Sequence, residues 1–273
     1  MPFPGVTRFK SAGGPVEVAI SPDETFCLVA NRDAHNVSRF DLATGELLAT
    51  YEGGLAHPSQ IAISSTGTFC LITSPSAGRV TKLDLRNGAI MGHMDGLDSA
   101  LGVALMPDNS YALVHCSGPM ARSRSTPSAI ARVDLATRRI SWPYPSAKCS
   151  GHSLSISNCG SFALCGDTAG NRVCKINLAS GMVVGEYPLR LTQGVCVSPT
   201  LDFAFAGTTG TAVSRIDLES GAVEPNAYPR DASDTPFAGA LGVAIAPNGR
   251  FALVANSRAE SVSVIDLRPA DER

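Results

Sequence analysis

Two groups of residues in this 273-residue chain have types and spacing that could do chemistry. The first joins histidine to cysteine. His115-Cys116 opens a long polar stretch, and Cys149-Ser150-Gly151-His152 leads into a later apolar segment. Imidazole and thiolate suit a tetrahedral zinc ion, so His115, Cys116, Cys149 and His152 form a candidate metal set. The same residues could instead form a Cys116–Cys149 disulfide, carry a reactive thiol, or be ordinary loop residues. The second group is Glu17, Gln60, His152 and Gln193, which occupy equivalent places in a repeat. There His152 could act as a general base beside the acid Glu17. No second acid or oriented triad accompanies them, so a solvated polar rim is the simpler reading.

What must position these residues is a unit that recurs six times. Its anchor is the acid or amide ending a "RFDL"-like strand: Asp41, Asp84, Asp134, Asn177, Asp217 and Asp266, spaced by roughly 40–50 residues. Each unit opens on a strand, a, reading VEVAIS, SQIAIS, LGVALM, HSLSIS, QGVCVS and LGVAIA. Alternate residues share a face, so one face is large and the other is small (Ala19, Ala62, Ala104, Ser155, Cys196, Ala244). Small residues let the large face of the next unit approach closely. Strand b begins with an aromatic each time (Phe26, Phe69, Tyr111, Phe162, Phe203, Phe251), read as core between units. Strand c carries Arg39, Lys82, Arg132, Lys175 and Arg215 two residues before the anchor, a spacing that predicts charge pairs. Gly45, Gly88, Gly181 and Gly221 fit the hairpin into strand d, with the anchor carboxylates capping the turn. Four strands per unit at this period predict an all-β, six-bladed β-propeller of four-stranded antiparallel blades.

The predicted blades span about 15–57, 58–100, 101–151, 152–191, 192–240 and 241–269 of a single domain, 1–273. The sixth ends after strand c, while the strand-like GVTRFK at 5–10 precedes the first blade and has none of its own. Pairing the two closes the ring and removes an open edge.

The phrase SPDETFCLVANRDAHNVSRFDLATGE resembles the YVTN family of β-propeller repeats, with its Ser-Pro-Asp-Gly turn, Tyr-Val-Ala-Asn-like strand and Asp-x-x-Thr/Ser-Gly hairpin. The likeness runs along nearly the whole chain. It implies the fold, while propellers of this kind include both binding modules and enzymes. Six-bladed calcium-dependent hydrolases of the gluconolactonase type place acids or amides where strand a begins, often before glycine. Here Leu101, Gln193 and Leu241 precede the glycines, so no calcium-lactonase mechanism is carried over.

Connections d–a and b–c share one face of a propeller, the top, around the channel mouth, and loops on a rigid scaffold favour binding. Three connections are long: 115–129, 142–151 with the only tryptophan, and 226–240. The candidate ligand-binding residues are Glu17, Gln60, His115, Cys116, Trp142, His152 and Gln193. Cys27, Cys70, Cys165, Cys174 and Cys196 replace small or apolar residues of other blades and read as packing.

A net charge of −2 and a pI of about 6.2 argue against a nucleic-acid binder. No apolar run is long enough to span a membrane, and the first residues lack a signal-peptide pattern, so a cytoplasmic monomer is expected. No cofactor is expected, calcium and zinc being the metals the candidate residues would suit. Two functions remain open. One is a non-catalytic propeller presenting its top face and channel mouth to a protein, peptide or small molecule. The other is a hydrolase, lyase or isomerase with its site at that mouth.

Overall fold

Period-two alternation along each strand b sends neighbouring side chains into different blade interfaces. Cys27 and Val29 pack between blades 6 and 1, while Phe26, Leu28 and Ala30 pack between blades 1 and 2. Six such apolar clusters among the described residues fill the gaps between six four-stranded antiparallel sheets. This six-bladed β-propeller is a computed structural model that describes residues 7–11, 13–117, 129–144, 149, 151–232 and 234–269.

The ring closes as the sequence predicts. The sheet of blade 6 runs, from the axis outward, through Ala240–Ile245, Phe251–Asn256, Ser261–Asp266 and the N-terminal strand Arg8–Lys10. Phe9 pairs with Val262, and its ring lies 4.7 Å from that of Phe40 in blade 1. Residues 5 and 6 of the expected strand lie outside the described residues. A clasp that the sequence reading missed fastens the closure. Asp231, in the blade 5-to-6 connection, takes Arg8 Nη2 at 2.9 Å and Nε at 3.1 Å, and accepts from Ser263 Oγ at 2.8 Å. That connection, expected as a binding loop, therefore contributes structurally.

The c–d hairpins behave as expected. Asp41 Oδ1 accepts the N–H groups of Ala43 and Thr44, both at 2.8 Å, and Asn177 does the same in blade 4. The expected charge pairs on strand c are corrected. Arg39, Lys82, Arg132, Lys175 and Arg215 lie over the rings of Phe26, Phe69, Tyr111, Phe162 and Phe203, at 3.8–4.9 Å from the centroids. With the anchor carboxylates turned into their hairpins, the cations settle on aromatic faces, a contact worth about 0.5–1 kcal/mol at exposed sites. Arg215 alone among the five also reaches its acid, Asp217, at 4.0 Å.

Candidate functional site

Strand a of every blade runs along the axis with one edge unpaired by any other strand. Its N–H groups need acceptors, and side chains from the same ring supply them. Val195 N donates to Ser153 Oγ and Val197 N to Ser155 Oγ, each at 3.1 Å, and Ile245 N donates to Cys196 Sγ at 3.4 Å. The small residues read as packing thus also accept hydrogen bonds from the next blade.

Gln60 extends this pattern across three blades. Its Oε1 accepts from Val103 N (2.7 Å) and Leu154 N (3.0 Å), and its Nε2 donates to Ser153 Oγ (2.8 Å) and the Leu154 carbonyl (3.1 Å). Both donors and both acceptor positions of the amide are used. On the other side of the ring, blades 5, 6 and 1 approach through glycine. A Cβ on Gly194 would lie 2.4 Å from the Leu241 carbonyl oxygen, and one on Gly242 would lie 2.5 Å from Glu17 Cα. Together these contacts draw the top of the channel into a neck.

Glu17 and Gln60 were expected on a solvated rim; each is only 6% exposed. Above the neck remains a dimple of about 10 Å³ lined by Glu17, Arg32, His152 and Gln193 among others, room for one water at most. Below it the channel widens to a cavity of about 370 Å³, reaching Asn158 and Pro247 in the a–b turns. The open end is therefore on the face opposite the predicted mouth. Ile20, Ile63, Leu105, Ile156, Val197 and Ile245 contribute apolar wall.

The Glu17 carboxyl sits at the blind end of this cavity. Oε1 accepts Val18 N–H at 3.1 Å, the one hydrogen bond to its side chain from the described residues. Burial pushes its pKa up from 4.5 to about 8, with the Val18 N–H opposing. It is therefore mostly a neutral acid at pH 7. His152, half-buried above, is held below the usual histidine range, first by burial and then by Arg32.

The candidate metal set is not brought together as a whole: His115 meets the Cys149 carbonyl and interacts with His152, whereas Cys116 lies in another blade interface. His115 and Cys116 are consecutive on a strand, Tyr111–Cys116, so they point to opposite faces. Cys116 packs between blades 2 and 3, whereas Cys149 packs between blades 3 and 4. That separation also excludes their disulfide in this structure. His115 is fully buried and donates from Nε2 to the Cys149 carbonyl at 2.5 Å, and burial pulls its pKa down to about 4. The Cys149 thiol neighbours Cys165 and Cys174, and the contact with Cys165 raises its pKa. Among the described residues no three His, Cys, Asp or Glu side chains are grouped to hold a metal ion. Trp142 is half exposed just after strand d of blade 3, Ile140–Ser141, on the outer edge of the ring and away from the channel. Most of the 115–129 loop, and residues 145–148 and 150 of the next, lie outside the described residues. What sequence reasoning missed is the channel wall itself; the apolar large-face residues of strand a were the available signal.

Among the described residues no helix is long and apolar enough to cross a membrane. No protein-family profile matches the chain, and no curated protein matches it in sequence. Among solved structures, a chain titled Kuenenia stuttgartiensis Hydrazine Synthase is similar at 18% identity, with a TM-score of 0.70, over 96% of this chain and 98% of that one. At that identity the likeness is one of fold alone.

Proposed function

We propose that this propeller is a non-catalytic binding protein that takes a small molecule into its central channel from the a–b turn face. The observation that carries the reading is the blind cavity of about 370 Å³, within the size range of small-molecule sites, with apolar walls and one underused polar group at its end. The repeats' likeness to YVTN-type propellers and a cytoplasmic, monomeric state belong to the same proposal. Ile20, Ile61, Ile63, Ile156 and Ile245 line the cavity, so isoleucine-methyl NMR reads it directly. Fragments that bind should shift these methyls, and Ala62→Phe, which fills the channel, should abolish the shifts. Shifts confined to other isoleucines would overturn the reading.

A second reading, an enzyme acting at the top mouth, is favoured by one observation. Glu17 and His152 line the same dimple, the first mostly protonated and the second mostly neutral near pH 7. Its test is ester hydrolysis by folded His152→Ala protein, where wild-type rates would exclude His152 as the base.

A further inference from the structure

The channel's chemistry says more about its occupant, provided that the channel reading above holds. Of the polar side chains lining the cavity, Gln60 is fully engaged, Ser155 Oγ accepts Val197 N–H, and Asn158 Nδ2 donates to the Pro199 carbonyl. Asn158 is exposed at the open end, whereas Glu17 is buried at the blind end, where one oxygen holds Val18 N–H and no other donor among the described residues reaches the carboxyl. Three residues of strand rise separate it from the Ile20 level, about 10 Å of depth at ~3.3 Å per residue. That depth matches an extended chain of several carbons.

We infer that the channel selects a ligand with a slender apolar body and a neutral carbonyl at its leading end, which accepts a hydrogen bond from the Glu17 carboxyl. Three observations support this choice of head group. Among the described residues the wall below the neck offers no cation to pair with a carboxylate ligand, Arg32 lying in the dimple above it. An ammonium would enter only if Glu17 gave up its proton inside an apolar site, where the charged form is disfavoured. Burial already holds Glu17 in the donor form at pH 7, with its pKa near 8. The other ionisable groups at the neck are Arg32, His152 and Cys196. Arg32 stays charged although burial lowers its pKa from 12.5, His152 is neutral above pH 7, and burial raises Cys196 to about 11. Between pH 7 and 9, Glu17 is thus the neck group that titrates.

The experiment is an isoleucine-methyl NMR titration of the full chain with octan-2-one, octylamine and octanoate, which share an apolar tail and differ in head group. Octan-2-one should bind most tightly at pH 7 and lose affinity about tenfold as pH rises past 8, the scale of one hydrogen bond. Glu17→Gln, which retains an N–H donor, should bind octan-2-one without that pH dependence, and Glu17→Leu should bind it about tenfold more weakly. Channel-methyl shifts with equal affinity for the three heads, or with octylamine preferred, would overturn the head-group inference and leave the channel reading standing. No channel-methyl shift with any of the three would overturn both.

Discussion

Replacing Glu17 by Gln should stabilise the protein, and by an amount that grows with pH. The carboxyl has a folded pKa near 8 against an ordinary value of 4.5. Between those values the folded state binds more protons than the unfolded state, so its stability falls as pH rises. The loss begins near pH 4.5, steepens to about 1.4 kcal/mol per pH unit, and levels off above pH 8. Integrated, the term reaches about 3 kcal/mol at pH 7 and nearly 5 kcal/mol above pH 9. The turn carboxylates contribute with the opposite sign. Asp84, held near 2 chiefly by the Arg86 side chain, favours the folded state above the unfolded carboxylate range, and that advantage disappears as pH falls below it. Both proteins share that contribution, so their difference isolates Glu17. Urea denaturation of wild type and Glu17→Gln at several pH values should give stabilities that diverge by about 2.5 kcal/mol between pH 5 and pH 7. At the usual scaling that is a Tm difference growing by about 5 °C or more. Parallel stability curves over this range would show that the carboxyl is hydrated. They would also remove the basis for a neutral donor at the blind end.

Three further outcomes test the architecture. Phe9→Ala should cost about 3–5 kcal/mol in chemical denaturation, because the ring is buried against Phe40 at the closing seam. Arg8→Ala should cost about 2 kcal/mol, and in a double-mutant cycle with Asp231→Ala the effects should be strongly non-additive, since Arg8 Nε and Nη2 both bond this carboxylate. Gln60→Leu should cost about 3 kcal/mol or more by stranding Val103 N, Leu154 N and the Leu154 carbonyl. A neutral effect would mean that water replaces the amide.

The repeat made the blades legible because period-two patterning and turn chemistry are local signals. Closure was legible by subtraction: a blade lacking one strand and a strand lacking a blade. The site was much less so. Gln60 reads as polar rim in sequence, because nothing local says that its amide crosses to blades 3 and 4. The spacing of Arg39 from Asp41 predicted a pair. In the sheet Asp41 lies opposite Phe26 and Arg39 opposite Leu28, so the ring is the diagonal neighbour of the guanidinium. His115 and Cys116 looked like joint ligands because they are adjacent, and adjacency on a strand is what separates them. The open end of the channel depended on how tightly Gly194 and Gly242 let backbones meet, a tertiary fact with only the glycines to hint at it.

The seam between Arg8 and Ser263 also sets a timetable. Its partners are 255 residues apart in sequence. At ~5–20 residues per second, the first strand waits about 13–50 s on the ribosome for its mate to be synthesised. Blades 1 to 5 can assemble one after another in that interval, each on the apolar face of its predecessor. The growing arc meanwhile carries an unfilled interface at each end. Ring closure is then the contact with the longest loop to close, and it falls at the end of folding.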